Sequence, residues 1–342
     1  MGSVKLKYHR IRIIEEKDIS QVLAYIAKEW NSEHVFVKKP EFFLYEHFNG
    51  ENINGILAES LETGKIEGIL LMYPLGNGMT DLDFFGGIWS VSKDCKVPML
   101  GIKLVENVLK VTGAKSHSGV GISPDTTAKI FQHIEGQKVG KLKHYYRLGN
   151  KGEYKIANVK VKKISKIENG SAKFKPFYNI EEFTTLFALT KYKEEPYYKD
   201  NEYIKKRYFD HPIYNYNIFG IDINGKIESV FIFRKIEHNS AKIVRIVDFL
   251  GDDQALKECG KAFQEMLDED DLEYIDFYEY GLEDAALIAA GFIEREDSDN
   301  NVIPNYFEPY IQKNIDLWFH TPYDKCRIFK GDGDQDRPNC IE

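Results

Sequence analysis

The chain has 342 residues, 43% of them hydrophobic and 29% charged, an ordinary globular balance with enough apolar mass for sizeable cores. That length suits about two domains of ~150 residues, and no apolar run approaches the ~18 residues of a membrane span. A net charge of −8 and a pI near 5.7 argue against a protein that coats nucleic acid or an anionic membrane.

In chain order, residues 8–14 read as a first strand, and Glu15 to Ala27 as an amphipathic helix with Ile19, Val22, Leu23 and Ile26 inward. A second short helical stretch follows over Pro40 to Phe48. Residues 53–59 and 66–73 form a hairpin around Glu62-Thr63-Gly64-Lys65. The segment DLDFFGGIWSVSKDCKVPMLGIKLVENVLK then combines a buried strand (Phe84 to Val91), a polar loop carrying Lys93 and Lys96, and a helix. Leu100, Leu104, Val105, Val108 and Val111 put one apolar face on that helix. A strand feeding a loop that opens a helix presents unpaired backbone N–H groups, the arrangement that receives a phosphate. His117 to Ile122 reads as a strand, Pro124 to Ile134 as a helix and Lys141 to Arg147 as a strand.

The lysine-rich VKVKKI run is expected to be an edge strand guarded by charge, the alternative being a basic patch for phosphate groups, with a linker at Asn169-Gly170-Ser171. The same order then recurs. Residues 180–190 form a helix, 218–233 a hairpin with an Asn-Gly turn, and 242–251 a buried strand. Gln254 to Leu267 form a helix with Ala255, Cys259, Ala262, Phe263 and Met266 on one face. A strand (273–280), a short helix ending at Gly291 and the closing strands of 305–319 complete the pass. An internal duplication is the economical reading.

The cysteines Cys95, Cys259, Cys326 and Cys340 are far apart and form no CxxC, so neither a disulfide framework nor a zinc motif is expected. MGSVKLKYHR has no apolar signal region. The expectation is a cytoplasmic protein with no metal. The acidic tail GDGDQDRPN carries Asp332, Asp334 and Asp336 at the first spacings of a calcium loop. Arg337 stands where that loop needs glycine, so a docked or hydrated tail is expected instead.

The element order, with the loop after the fourth strand, resembles the GNAT superfamily of acyl-CoA N-acyltransferases, here as a tandem pair. The resemblance implies a mixed α/β (α+β) fold of two GNAT-like domains, each a mostly antiparallel sheet flanked by helices: residues 1–165, residues 172–330, and a tail over 331–342. The family signature, Gln/Arg-x-x-Gly-x-Gly/Ala, aligns with Lys96-Val97-Pro98-Met99-Leu100-Gly101. Lys96 keeps the charge and Gly101 the last small residue, while Met99 replaces the middle glycine and Pro98 lacks an N–H. Ser90, Val91, Lys96, Val97, Met99, Leu100 and Gly101 are accordingly the expected contacts to acetyl-CoA or another acyl-CoA. In the second half Asp252-Asp253 occupies the equivalent loop and would repel a pyrophosphate, so the cofactor site is expected in the first. Phe131 and Leu287 stand near where the family often has a tyrosine as general acid.

N-acylation needs a rigidly held thioester, a deprotonated amine and donors at the developing oxyanion. The resemblance implies a backbone N–H from Val91 or Ser90 at the thioester carbonyl. Asp83 is the expected general base, with His117 and His34 as imidazole alternatives. Trp30, Arg207, His211, Asp248, Glu279 and Glu308 are the expected acceptor contacts. A similarity to acyltransferase-like proteins of bacterial surface-polysaccharide clusters makes an amino sugar or sugar nucleotide the leading acceptor. A small-molecule amine, and neither nucleic acid nor membrane, is the expected partner. An aminoacyl-tRNA-dependent peptidoglycan-type transferase and a non-catalytic GNAT-derived binding protein are the competing readings.

Overall fold

A computed structural model describes residues 2–163, 170–296, 298 and 300–340. The chain divides into two compact units. The first comprises residues 1–139, 319–324 and 332–342; the second comprises residues 140–318 and 325–331. The linker expected at Asn169 lies partly outside the described residues, and the division falls instead between Val139 and Gly140.

The first unit is built on β1 (Ser3–Lys5), β2 (His9–Glu15), β3 (Asn52–Ser60), β4 (Ile66–Pro74), β5 (Asp83–Val91), β6 (Ser116–Ile122) and β7 (Lys138–Lys141). Their order in the sheet is β1-β2-β3-β4-β5-β6, then the strand Trp318–Thr321, then β7. β1 to β5 pair antiparallel, and β5 pairs parallel with β6. The helix Leu100–Thr112 covers one face because Leu100, Leu104, Val108 and Val111 repeat at helical spacing. They bury against Ile11, Ile13, Ile56, Ala58, Leu70, Met72 and Phe84. Gly113 ends the helix in the left-handed conformation that glycine adopts without strain (φ +72°).

The second unit is also built on a mixed sheet, with β8 (Lys143–Leu148), β9 (Lys173–Phe177), β10 (Asn217–Ile223), β11 (Lys226–His238), β12 (Ala241–Gly251), β13 (Tyr274–Tyr280) and β14 (Ile293–Glu294). The order is β14-β8-β13-β12-β11-β10-β9, with β12 and β13 parallel. The helix Gly260–Glu269 packs Phe263, Met266 and Leu267 onto it.

Several sequence expectations change, among them the helix over Gln254 to Leu267, which divides into a 3-10 helix (Asp253–Glu258) and an α-helix (Gly260–Glu269). Lys141 to Arg147 is not one strand: the chain leaves the first sheet after Lys141 and enters the second at Lys143. The helix over 124–134 is cut to Thr127–Phe131. The VKVKKI run forms no strand within its described part: Lys160 and Val161 donate their N–H groups to Asn301 Oδ1, a side-chain substitute for a ladder. Ile164, which closes the run, lies outside the described residues.

Arg245 and Asp276 are facing partners across β12 and β13 and are almost fully buried. Arg245 Nη2 donates to Asp276 Oδ2 at 2.6 Å and to Pro304 O at 2.6 Å, and His144 Nε2 lies 3.0 Å from the same carboxylate. Burial pushes the Asp276 carboxyl up, but Arg245 and His144 outweigh it and hold the group below its ordinary range. Removing one partner strands the other charge, so Asp276→Ala is expected to cost about 3–5 kcal/mol, read from the urea unfolding midpoint.

Candidate active site

The parallel ladder between β5 and β6 is short. It runs through Asp83↔Ser116, Phe84↔His117 and Phe85↔Ser118 and then stops. At that point β5 bulges against β4: Leu70 faces Trp89 and Met72 faces Gly86, so Leu71 alone opposes Gly87 and Ile88. The bulge coincides with the loss of pairing to β6, and a cleft of about 520 Å³ occupies the resulting wedge. Gly86 to Trp89 line one wall; His117, Gly119 to Ser123 and Phe131 line the other. A Cβ on Gly87 would lie 2.8 Å from the Tyr73 ring, and one on Gly119 would lie 2.7 Å from His320 Nε2. The walls are therefore glycine where side chains would collide.

The rest of the lining comes from further along the chain. His320 on the strand Trp318–Thr321 and Asp334, Gln335, Pro338 and Asn339 of the tail face the cleft. The tail is docked: Asn339 O accepts from Val35 N at 2.7 Å, Arg337 Nε donates to Gly333 O, and the Arg337 guanidinium binds Glu46 and sits 4.0 Å over the Tyr73 ring. Asp332 and Asp336 are buried.

Three histidines meet the cleft, and all are kept neutral by burial. His34 is lowered to about 4 and His117 to about 3, while burial and the neighbouring His117 put His320 well below its ordinary value. His34 caps the helix Val35–Lys38 by accepting from Phe36 N at Nδ1, which leaves its proton on Nε2. His117 stacks on Phe84, and its buried Nδ1 has no hydrogen-bond partner among the described residues. His320 lies flat on Phe131 with Nδ1 3.0 Å from Gln137 Oε1. An amide oxygen only accepts, so the ring proton sits on Nδ1 and the lone pair on Nε2. His320 escaped the sequence reading, since no local pattern ties it to β6.

Of the expected residues, the cleft brings together Trp30, His34 and His117. Asp83 sits at the closed end of the ladder, buried, and accepts from Ser116 Oγ at 2.7 Å and Tyr323 OH at 2.6 Å; Lys115 Nζ lies 3.7 Å away. It is not among the residues lining the cleft. Neither are Ser90 and Val91, which lie beyond the bulge; Ser90 Oγ is 3.3 Å from Tyr25 OH.

The loop after β5 is tied down by Glu29, which accepts from Ser92 Oγ and Lys93 N, each at 3.0 Å. Lys96 and Met99 are exposed, and Val97 is half-buried. Met99 takes the left-handed conformation (φ +60°) a glycine would hold more cheaply, and no side chain caps the helix it opens. Lys103 is the first residue of this helix whose N–H finds a backbone acceptor, on Met99 O, so the N–H groups of Leu100 and Gly101 are available to an anion.

The remaining expected residues lie in the second unit, where Arg207, His211 and Glu308 meet around Tyr214 and Tyr216, and Tyr208 links Arg207 to Asp248. Asp248 accepts from Lys199 Nζ at 2.5 Å and Tyr208 OH at 2.6 Å. Arg207 donates to Tyr216 OH, and His211 Nδ1 accepts from Ile213 N and Tyr214 N. Glu308 binds Tyr214 and Arg234, and Glu279, pushed up to about 7 by burial, accepts from Leu282 N. The wedge equivalent to the first unit's is filled by the chain itself. After Ile246↔Phe277 the parallel ladder ends, and Ile328–Phe329 pairs with β13 at Glu279 and Tyr280. Gly331 N donates to Val247 O, at the residue that bulges from β12.

This is a GNAT-like acyltransferase fold, with large mixed sheets flanked by helices and an open wedge in one unit. Among solved structures, the chain is similar to a GCN5-related N-acetyltransferase from Anabaena variabilis, with a TM-score of 0.57 at 12% identity over 91% of this chain and 72% of that one. It is also similar to a conserved Enterococcus faecalis protein of unknown function described as a probable N-acyltransferase, with a TM-score of 0.56 at 8% identity and the same coverages. No protein-family model matches the chain, and no curated protein matches it in sequence.

The buried neutral histidines set an acid limit. Their folded values lie below the ordinary value near 6.5, so the unfolded chain takes protons that the folded chain refuses. Stability is fully present above pH 6.5 and is lost as the pH falls toward 4. The expected slope is about 1.4 kcal/mol per pH unit for each such histidine. Urea melts at stepped pH check this, and His117→Phe should flatten the profile.

Proposed function

We propose that the protein is an acyl-CoA-dependent N-acyltransferase, and that the open wedge between β5 and β6 is its active site. The wedge is the observation that carries the reading, because it offers strand backbone without a partner strand between Gly86–Trp89 and His117–Ile122, and Trp89 on its wall donates to Gly101 O at the start of the helix after the Lys96 loop. Lys96 and the free N–H groups of Leu100 and Gly101 would hold the pyrophosphate. The bulge at Gly87–Ile88, rather than Ser90 or Val91, would supply the backbone N–H at the thioester carbonyl.

In the step itself the acceptor amine attacks the thioester carbon, the C–N bond forms and the C–S bond breaks. The amine's proton passes to His320 Nε2, which keeps its lone pair because Nδ1 is bonded to Gln137, and then to the leaving thiolate. Phe131 holds the imidazole flat and takes no proton, so no tyrosine acid is invoked. The acyl group is proposed to be acetyl. The acceptor is proposed to be an amino sugar or sugar nucleotide of surface-glycan synthesis: exposed Trp30 offers a stacking face and Asn31, Asp334, Gln335 and Asn339 offer hydroxyl partners at the same rim. The two units are read as an internal duplication of which only the first kept the cofactor site.

Calorimetric titration with acetyl-CoA tests the reading. Saturable binding that weakens with Lys96→Glu is expected, and no binding of acetyl-CoA or longer acyl-CoAs would sink it. His320→Gln is expected to lower kcat by about 10²–10³-fold with acetyl-CoA affinity little changed. Asp83→Asn should instead lower the unfolding midpoint while leaving kcat within about tenfold, since it removes a structural acceptor worth about 1–3 kcal/mol. Amino-sugar acceptors should exceed polyamines and peptide N-termini in kcat/KM.

A further inference from the structure

Outside the cleft, the first unit gathers three side chains of different kinds at one point. His9 opens β2, Glu67 lies on β4 and Cys95 lies in the loop between β5 and the helix Leu100–Thr112. β3 lies between β2 and β4, so His9 and Glu67 reach toward each other across it. His9 Nε2 is 2.7 Å from Glu67 Oε2, and a ring nitrogen of His9, a carboxylate oxygen of Glu67 and Cys95 Sγ all lie within 4.8 Å of one another. His9 is buried; Glu67 and Cys95 are half-buried and reachable from solvent.

We propose that His9 Nε2, Glu67 Oε2 and Cys95 Sγ bind a borderline-soft divalent metal ion, of the zinc type. One imidazole nitrogen, one carboxylate and one thiolate are ligands zinc accepts at about 2.0–2.3 Å. Contraction of the trio from its present spacing to a common centre calls for side-chain movement of the half-buried Glu67 and Cys95. The thiolate and carboxylate together neutralise a dication, so the site closes without a buried net charge. Sulfur and nitrogen donors disfavour calcium and magnesium, which take oxygen shells. Binding displaces the Cys95 proton to solvent and leaves a fourth position for water. The segments are some tens of residues apart, which is why no cysteine motif announces them.

The location gives the site a purpose. Cys95 precedes Lys96, and its N–H already bonds Ser92 O at 3.0 Å. A metal there would fasten the loop to β2 and β4, in addition to the bonds that Glu29 makes to Ser92 and Lys93. That consequence rests on the acyl-CoA reading; the binding of metal does not.

The test uses the full chain, stripped with a chelator and titrated with cobalt(II) and zinc. One ion per chain is expected, with a thiolate-to-cobalt charge-transfer band in the near ultraviolet and a rise in melting temperature with zinc. Cys95→Ser should abolish the band and His9→Gln should weaken zinc binding at least about tenfold. Cys326→Ser and Cys340→Ser should leave both unchanged. Circular dichroism of the stripped variants confirms that they fold. A stripped wild type that shows no band, or a band that survives Cys95→Ser, overturns the proposal. Neither result bears on acetyl-CoA binding, which is measured separately on the stripped protein.

Discussion

The arrangement of the first unit depends on where two parallel strands stop pairing. Three partner pairs hold β5 to β6, and the Asp83 carboxylate pins their closed end by accepting from Ser116 and Tyr323. Beyond Phe85, a bulge of Gly87 and Ile88 against Leu71 re-aims β5, and the ladder cannot resume. Backbone groups on the inner edges then lack a strand partner, which is costly in a buried edge and useful only where a ligand supplies the missing hydrogen bonds. Glycine at 86, 87 and 119 keeps the gap from being filled by the protein's own side chains.

That constraint explains which parts of the molecule were legible in its sequence. β5, the helix after it and the flanking hairpin follow from local periodicity, and Leu100, Leu104, Val108 and Val111 bury as their spacing requires. The cleft's second wall does not, because it is closed by residues brought from the far end of the chain. Tyr323 meets Asp83 across 240 positions, and His320 meets Gln137 across 183. Read alone, Asp83 at the start of a strand looks like an available base; only its two hydroxyl donors, one of them distant, show it to be occupied. The split of the strand expected over 141–147 has the same origin: both pieces have strand-forming residues, and the change of sheet at Leu142 is decided by partners, not propensity.

The loop proposed to hold the phosphates shows how a motif can be altered without losing its geometry. A positive φ is needed just before the helix, and Met99 adopts it where the family pattern has glycine. A non-glycine residue there costs about 1 kcal/mol, which the surrounding hydrogen bonds can carry: Glu29 takes the Ser92 and Lys93 donors, and Cys95 turns back on Ser92. Pro98 removes a donor in front of the helix, but the first helical N–H groups are those that matter to an anion, and Leu100 and Gly101 retain theirs.

The second unit supplies the contrast that gives the open wedge its meaning. Its β12 and β13 also pair in parallel and also part at a bulge, at Val247. There the gap is taken by Ile328–Phe329 and Gly331, whose backbone satisfies β13 and Val247 directly. The equivalent helix start is already occupied by acid, with Asp252 accepting from Gln254 N and Asp253 from Glu283 N. A chain segment and two carboxylates thus do in one unit what a thioester and a pyrophosphate are proposed to do in the other. The backbone geometry imposes the same demand on both, and the two units differ in whether the partner is built in or must be bound.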